Sequence, residues 1–194
     1  MRLFAAVLPP PGATAELADA VARLRGLPDA GRLRWTGRAG WHFTLAFMGE
    51  VDGAVLPELS ARLARAARRT RAFGVRMHGA GQFGGRVLWT GAAGDIDGMR
   101  MLAERSYAAA ARSGVPMEEH RAYRAHLTVA RSREDVDLAP FVAGLAPFEG
   151  TPWDVTRIAL VRSRLPTGGT PGEQPRYETV GAWDLGSGTS GPAG

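Results

Sequence analysis

The chain contains no cysteine and no lysine; all 24 of its basic residues are arginine. Without cysteine there are no disulfides, no thiolate metal sites, no cysteine nucleophile and no iron–sulfur cluster. Without lysine, Schiff-base chemistry and a P-loop lysine are excluded. No run of 18 or more apolar residues occurs, so no membrane association through a spanning helix is expected. The segment Met1 to Pro9 is too short for a secretory leader and has no small-residue cleavage site, which makes the cytoplasm the expected location. The 194 residues are 45% apolar and 22% charged, the balance of a globular protein. One body over 1–185 is expected, followed by a disordered tail over 186–194 built only of Gly, Ser, Thr, Pro and Ala. A net charge of +5 carried by planar guanidinium forks favours a polyanionic partner.

Hydrophobic spacing predicts alternating elements. Arg2 to Leu8 is a short apolar strand stopped by Pro9-Pro10-Pro11-Gly12. Thr14 to Arg25 places Leu17, Ala20, Val21 and Leu24 on one helical face, with Thr14 as N-cap. Arg34-Trp35-Thr36 and Trp41 to Met48 read as strands, and Ala54 to Arg71 as a helix packing Leu56, Leu59, Leu63 and Ala67. The arginines of that helix, at 62, 65, 68, 69 and 71, read as a solvated face. Strands follow at Phe73 to Met77 and Arg86 to Thr90. The glycine-rich Gly79 to Gly85 between them reads as a hairpin connection, because it lacks the Gly-Lys-Ser/Thr ending of a phosphate loop. Ile96 to Ser113 is a helix, and strands close the chain at Ala125 to Arg131, Trp153 to Arg162 and Tyr177 to Leu185. This order suits an α+β body with helices on mostly antiparallel sheet.

Chemistry concentrates in two segments, Trp41-His42-Phe43-Thr44-Leu45-Ala46 and Ala125-His126-Leu127-Thr128-Val129-Ala130. Both read His, apolar, Thr, aliphatic, Ala. Strand side chains alternate between faces, so His42 with Thr44, and His126 with Thr128, each present an imidazole and a hydroxyl to one surface. With four histidines and 12 threonines in the chain, only about 0.25 such His-x-Thr triplets are expected by chance. Two imidazoles facing one phosphate can divide the work of proton transfer near neutral pH, one neutral and one protonated. Threonine hydroxyls can donate to nonbridging oxygens. Such a site needs neither metal nor cofactor. His78 and His120 lack a following threonine and any carboxylate spacing of a metal site, and read as surface or loop histidines.

On these residues the sequence resembles the 2H phosphoesterase superfamily, specifically the RNA 2',3'-cyclic phosphodiesterases also named 2'-5' RNA ligases. The likeness runs through Arg2-Leu3-Phe4, Arg34-Trp35, His42 to Val51, Gly79 to Phe83, Arg86-Val87-Leu88-Trp89, Tyr123 to Arg131 and Val161-Arg162-Ser163. It departs from the family at Ala125, where a proline usually precedes the second histidine. The resemblance implies a bilobed α+β fold, two pseudo-symmetric antiparallel-sheet lobes with outer helices around a central cleft, acting as a monomer. It implies hydrolysis of a 2',3'-cyclic phosphate end of RNA to a 2'-phosphomonoester, with His42 protonating the leaving 3' oxygen and His126 activating water.

Substrate contacts implied by the same resemblance are Thr44, Thr128, Arg131 and Arg34. Arg131 lies three residues beyond Thr128, an odd offset that turns its side chain to the other face unless the strand bulges or ends there. Phe47 and Tyr123 could stack on a base, although the apolar neighbours of Phe47 favour a core place. Two other readings use the same residues: reversible 2'-5' RNA ligation, and a noncatalytic module that holds RNA ends.

Overall fold

The computed structural model describes residues 1–118, 122–166 and 174–187. His120 and most of the expected tail lie outside the described residues. The first strand, β1 (Arg2–Val7), leads into α1 (Pro11–Leu24). The helix starts three residues earlier than Thr14, because Pro11 with its fixed φ suits a first helical turn. Thr14 is therefore inside the helix, and its hydroxyl donates to the Pro11 carbonyl instead of capping. Its expected inward face, Leu17, Ala20, Val21 and Leu24, is buried.

The chain continues through β2 (Arg34–Trp35), β3 (Phe43–Glu50) and α2 (Leu56–Arg68). Next come the hairpin β4 (Phe73–Phe83) and β5 (Val87–Gly94), then α3 (Ile96–Arg112) and β6 (His126–Arg131). The described elements end with α4 (Ala139–Leu145), β7 (Trp153–Val155), β8 (Arg157–Arg164) and β9 (Arg176–Asp184). These strands pair antiparallel and form two sheets, ordered β3-β1-β8-β9 and β2-β6-β5-β4-β7.

Three differences from the sequence reading have local causes. The expected strand Trp153 to Arg162 is two strands, because the chain leaves one sheet after Val155 and joins the other at Arg157. Helix α4 was not expected: it is seven residues long, and its signals are Asp137, which accepts from the Ala139 N–H, and Pro140 in the first turn. The glycine-rich segment is mostly strand. Only Gly84-Gly85, both at positive φ (55° and 66°), forms the turn. At Gly81 a Cβ would lie 2.2 Å from the Trp89 ring, so glycine there lets the indole cross the neighbouring strand. Gly186, placed in the tail by composition, donates its N–H to the Thr70 carbonyl at 2.8 Å and pairs with Arg71.

The helices cover the sheets on the sides away from the cleft. α2 and α3 pack together, with α3 against β3 and α2 against β9, while α1 packs on α4 and α4 on β4 and β5. Glu16 ties α1 to the second sheet by accepting from both the Thr151 N–H (2.8 Å) and hydroxyl (2.6 Å). One continuous core runs from Leu3 to Leu185 through both sheets. Leu59, Leu63 and Leu102 are fully buried in it, each worth about 1.5–3 kcal/mol by burial alone. No helix among the described residues is long and apolar enough to cross a membrane.

Two features bring the histidine strands together. β3 and β6, from different sheets, run within contact of one another. β2, which precedes the first histidine, pairs with the strand that carries the second, setting Arg34 opposite Arg131.

Candidate active site

His42 stands just ahead of β3, and His126 opens β6. Each ring is held by a backbone carbonyl two residues earlier. His42 hydrogen-bonds the Gly40 carbonyl. His126 Nδ1 sits 2.8 Å from the Arg124 carbonyl, so Nδ1–H is the donor and Nε2 is left to face the cavity. Packing fixes the ring planes. Phe4 lies 4.5 Å from His42 and Tyr177 meets it edge-on at 5.3 Å. Phe83 meets His126 edge-on at 4.9 Å, backed by Trp89 at 6.4 Å.

Both imidazoles line a single cavity of about 110 Å³, together with Thr44, Thr128, Thr36, Gly40, Arg131 and Tyr177. That volume is far below the roughly 300–1,000 Å³ of sites that enclose a drug-sized ligand. It suits a phosphate group, with any attached nucleoside lying outside.

The bulge in β6 resolves the position of Arg131. Leu88 pairs with Ala130 but Trp89 pairs with Thr128, which leaves Val129 as an extra residue. Val129 and Ala130 both turn into the core, and Arg131 returns to the face of Thr128. The first motif bulges at the same place: Ala5 pairs with Ala46 and Ala6 with Thr44, leaving Leu45 extra. Leu45 and Ala46 both go inward, so Phe47 comes out. Phe47 is 42% exposed with the Arg2 guanidinium 4.8 Å above its ring, which corrects the expected core place.

Cationic groups flank the cavity. Arg34 and Arg131 are direct cross-strand partners, which sets two guanidinium groups on one face beside it. Burial, then His126 and Arg131, push the His42 imidazole down to about 4, against the Gly40 bond. Burial also lowers His126; Arg131 and Arg124 add to this, while the Arg124 carbonyl opposes it. Burial raises the Tyr177 phenol, partly offset by Arg131, Arg34 and Arg2. Burial and these cationic neighbours therefore hold His42 neutral at pH 7.

Tyr123 is not at the cavity. Its ring packs against the core and its hydroxyl is buried without a hydrogen-bond partner among the described residues, so the base-stacking role expected of it has no geometry. His78 is exposed on β4, pairing with Glu149 through the backbone. Sequence reasoning missed Tyr177, Thr36 and Gly40. Tyr177 comes to the site only by pairing with Ser163 across β8 and β9, and carries no local signal of that role.

A family profile described as the 2'-5' RNA ligase superfamily matches residues 9–166. The chain belongs to that superfamily. It is 30% identical, over 95% of its own length and 96% of the relative's, to a protein of Escherichia coli strain K12 named RNA 2',3'-cyclic phosphodiesterase. It is 26% identical to a protein of the same name from Geobacillus stearothermophilus, covering 89% of this chain but only 54% of that one. The chain thus spans about half the length of the second relative. The solved structure of E. coli LigT complexed with 3'-AMP superposes with a TM-score of 0.73 at 26% identity, covering 95% of this chain and 96% of that one.

Proposed function

We propose that the protein hydrolyses the 2',3'-cyclic phosphate ends of RNA to 2'-phosphomonoesters, with His42 and His126 as acid and base on a single phosphate. The chain is a phosphodiesterase. The observation that carries the reading is the opening of two carbonyl-anchored imidazoles, from different sheets, onto one arginine-flanked cavity of phosphate size. The names of the relatives agree with it.

The step balances without a metal. Water attacks phosphorus and gives a proton to Nε2 of His126. The bond from phosphorus to the 3' oxygen breaks, and His42 gives its proton to that oxygen. Each positioned transfer is worth about 10²- to 10⁴-fold. Thr44 and Thr128 donate to the nonbridging oxygens, and Arg131 with Arg34 offsets their charge. Because burial and Arg131 keep His42 neutral, the proton it delivers arrives with the substrate: an anion between the rings raises both imidazoles and draws one proton from solvent.

Incubation of purified protein with 2',3'-cyclic nucleotides in excess chelator, followed by phosphorus NMR, tests this. The expected product is the 2'-monophosphate at an undiminished rate. Absence of turnover with every cyclic nucleotide, or a 3'-monophosphate product, removes the proposal. Absence of turnover by the wild-type protein, with RNA-end binding that survives in the His42→Ala and His126→Ala proteins, would instead favour a binding module.

A further inference from the structure

On the far side of the first sheet from the cavity, α2 and α3 enclose a shallow groove of about 130 Å³. It is lined by Arg62, Arg65 and Arg69 from α2, by Arg105 and Arg112 from α3, and by a floor of alanines. We propose that this groove binds the sugar-phosphate backbone of single-stranded RNA, remote from the reacting end. The inference rests on the RNA substrate proposed above.

Of the five arginines read from sequence as a solvated face, Arg62, Arg65 and Arg69 line a two-walled groove. Ala66 and Ala109 are buried at 8% and 6%, so small side chains let the helices approach and bring the guanidinium groups of both to one trough. Arg105 donates from Nη1 to the Arg69 carbonyl (2.5 Å) and the Thr70 hydroxyl (2.8 Å). That contact places a cation on the C-terminal end of α2, where exposed carbonyls would otherwise repel an anion. Among the described residues Glu58 alone pairs with these arginines, with Arg62 at 2.6 Å and Arg65 at 3.9 Å.

Each wall spans eight residues, Arg62 to Arg69 and Arg105 to Arg112, about 10 Å end to end. A concave, arginine-lined trough with no large apolar side chain in its lining fits a phosphate chain better than a flat bilayer, which an apolar wedge would have to enter. Binding of RNA here is electrostatic, and therefore salt-dependent and indifferent to sequence.

The test uses a fluorescein-labelled single-stranded RNA ending in a plain 3' hydroxyl, so that neither turnover nor a cyclic end is needed. Its anisotropy is titrated with the wild-type protein and with the Arg65→Glu/Arg69→Glu/Arg112→Glu triple variant over a range of salt. Affinity is expected to fall on the order of 10-fold or more, and the slope of log affinity against log salt to flatten by about two, at about 0.7 per single-strand phosphate contact. Hydrolysis of mononucleotide 2',3'-cyclic phosphate by the same variant should stay within about 2-fold, since these residues do not touch the cavity. If the glutamate triple does not fold, the Arg65→Gln/Arg69→Gln/Arg112→Gln triple is expected to give the same changes at smaller size. Unchanged affinity and salt slope in a folded variant, or wild-type protein that binds anionic phosphatidylserine vesicles but not the RNA, would overturn the groove proposal. Neither outcome bears on the hydrolysis of cyclic nucleotides, so the two proposals fail separately.

Discussion

The two His-x-Thr strands share a backbone and differ in their surroundings. In each, a carbonyl two residues before the histidine holds the ring, the residue after threonine is a bulge, and an alanine follows it into the core. The position five beyond the histidine differs: Arg131 beside His126, Phe47 beyond His42. The walls differ too. His42 is enclosed by Phe4 and Tyr177, on a small apolar cluster of Phe4, Ala6, Ala159 and Val161. His126 stands beside Phe83, whose ring is 36% exposed at the rim of the cleft. Equal geometry with unequal enclosure suits the acid–base division proposed for these two histidines, because two identical imidazoles would compete for the same proton state.

Replacing either histidine should cost the most. His42→Ala and His126→Ala are each expected to lower kcat by about 10²- to 10⁴-fold, with the double variant little worse than the weaker single, since the two act as a unit. A nitrophenyl phosphodiester, whose leaving group needs no proton, separates the roles: His42→Ala should regain most of its loss and His126→Ala should not. Equal rescue of both would erase the proposed division. Arg131→Gln should raise KM about 10-fold and bring the His42 imidazole up from about 4, because a cation that lowers it is gone. Phe47→Ala, at the matching position, should leave that titration unmoved.

A smaller effect lies in stability. His42 titrates at about 4 in the folded chain against an ordinary value of 6.5, so below pH 6.5 the unfolded chain binds a proton that the folded one refuses. Stability should therefore fall as pH drops from about 6.5 toward 4, by at most on the order of 3 kcal/mol. His126 adds to the loss in the same direction. In the His42→Gln protein the acid loss measured by thermal unfolding should shrink; an unchanged slope would show that His42 is not held neutral.

Much of the first-order arrangement was legible. Alternation alone placed His42 with Thr44 and His126 with Thr128 on shared faces, and helical spacing named most of the inward residues of α1 and α2. What failed was anything set by pairing between distant strands. A regular period of two turned Arg131 away from the site and apolar neighbours put Phe47 in the core, and a bulge overturns both, since the extra residue exists only relative to a partner strand. Tyr177 reaches His42 from about 135 residues downstream through the β8–β9 pairing. The switch of sheets after Val155 is equally invisible locally, because Thr156 between the two strands carries no breaker residue. Composition suggested a tail from Gly186, yet its N–H is taken by the end of α2, a contact that follows from where the last strand delivers it.

The most direct measurement of convergence is a titration of the imidazole C2 protons by NMR, assigned with His→Gln variants, with and without a 2'-phosphomonoester nucleotide. Binding should raise the titration of His42 and His126 together, with uptake of about one proton per site at neutral pH. A shift in only one of the two imidazoles would contradict the claim that both face a single phosphate.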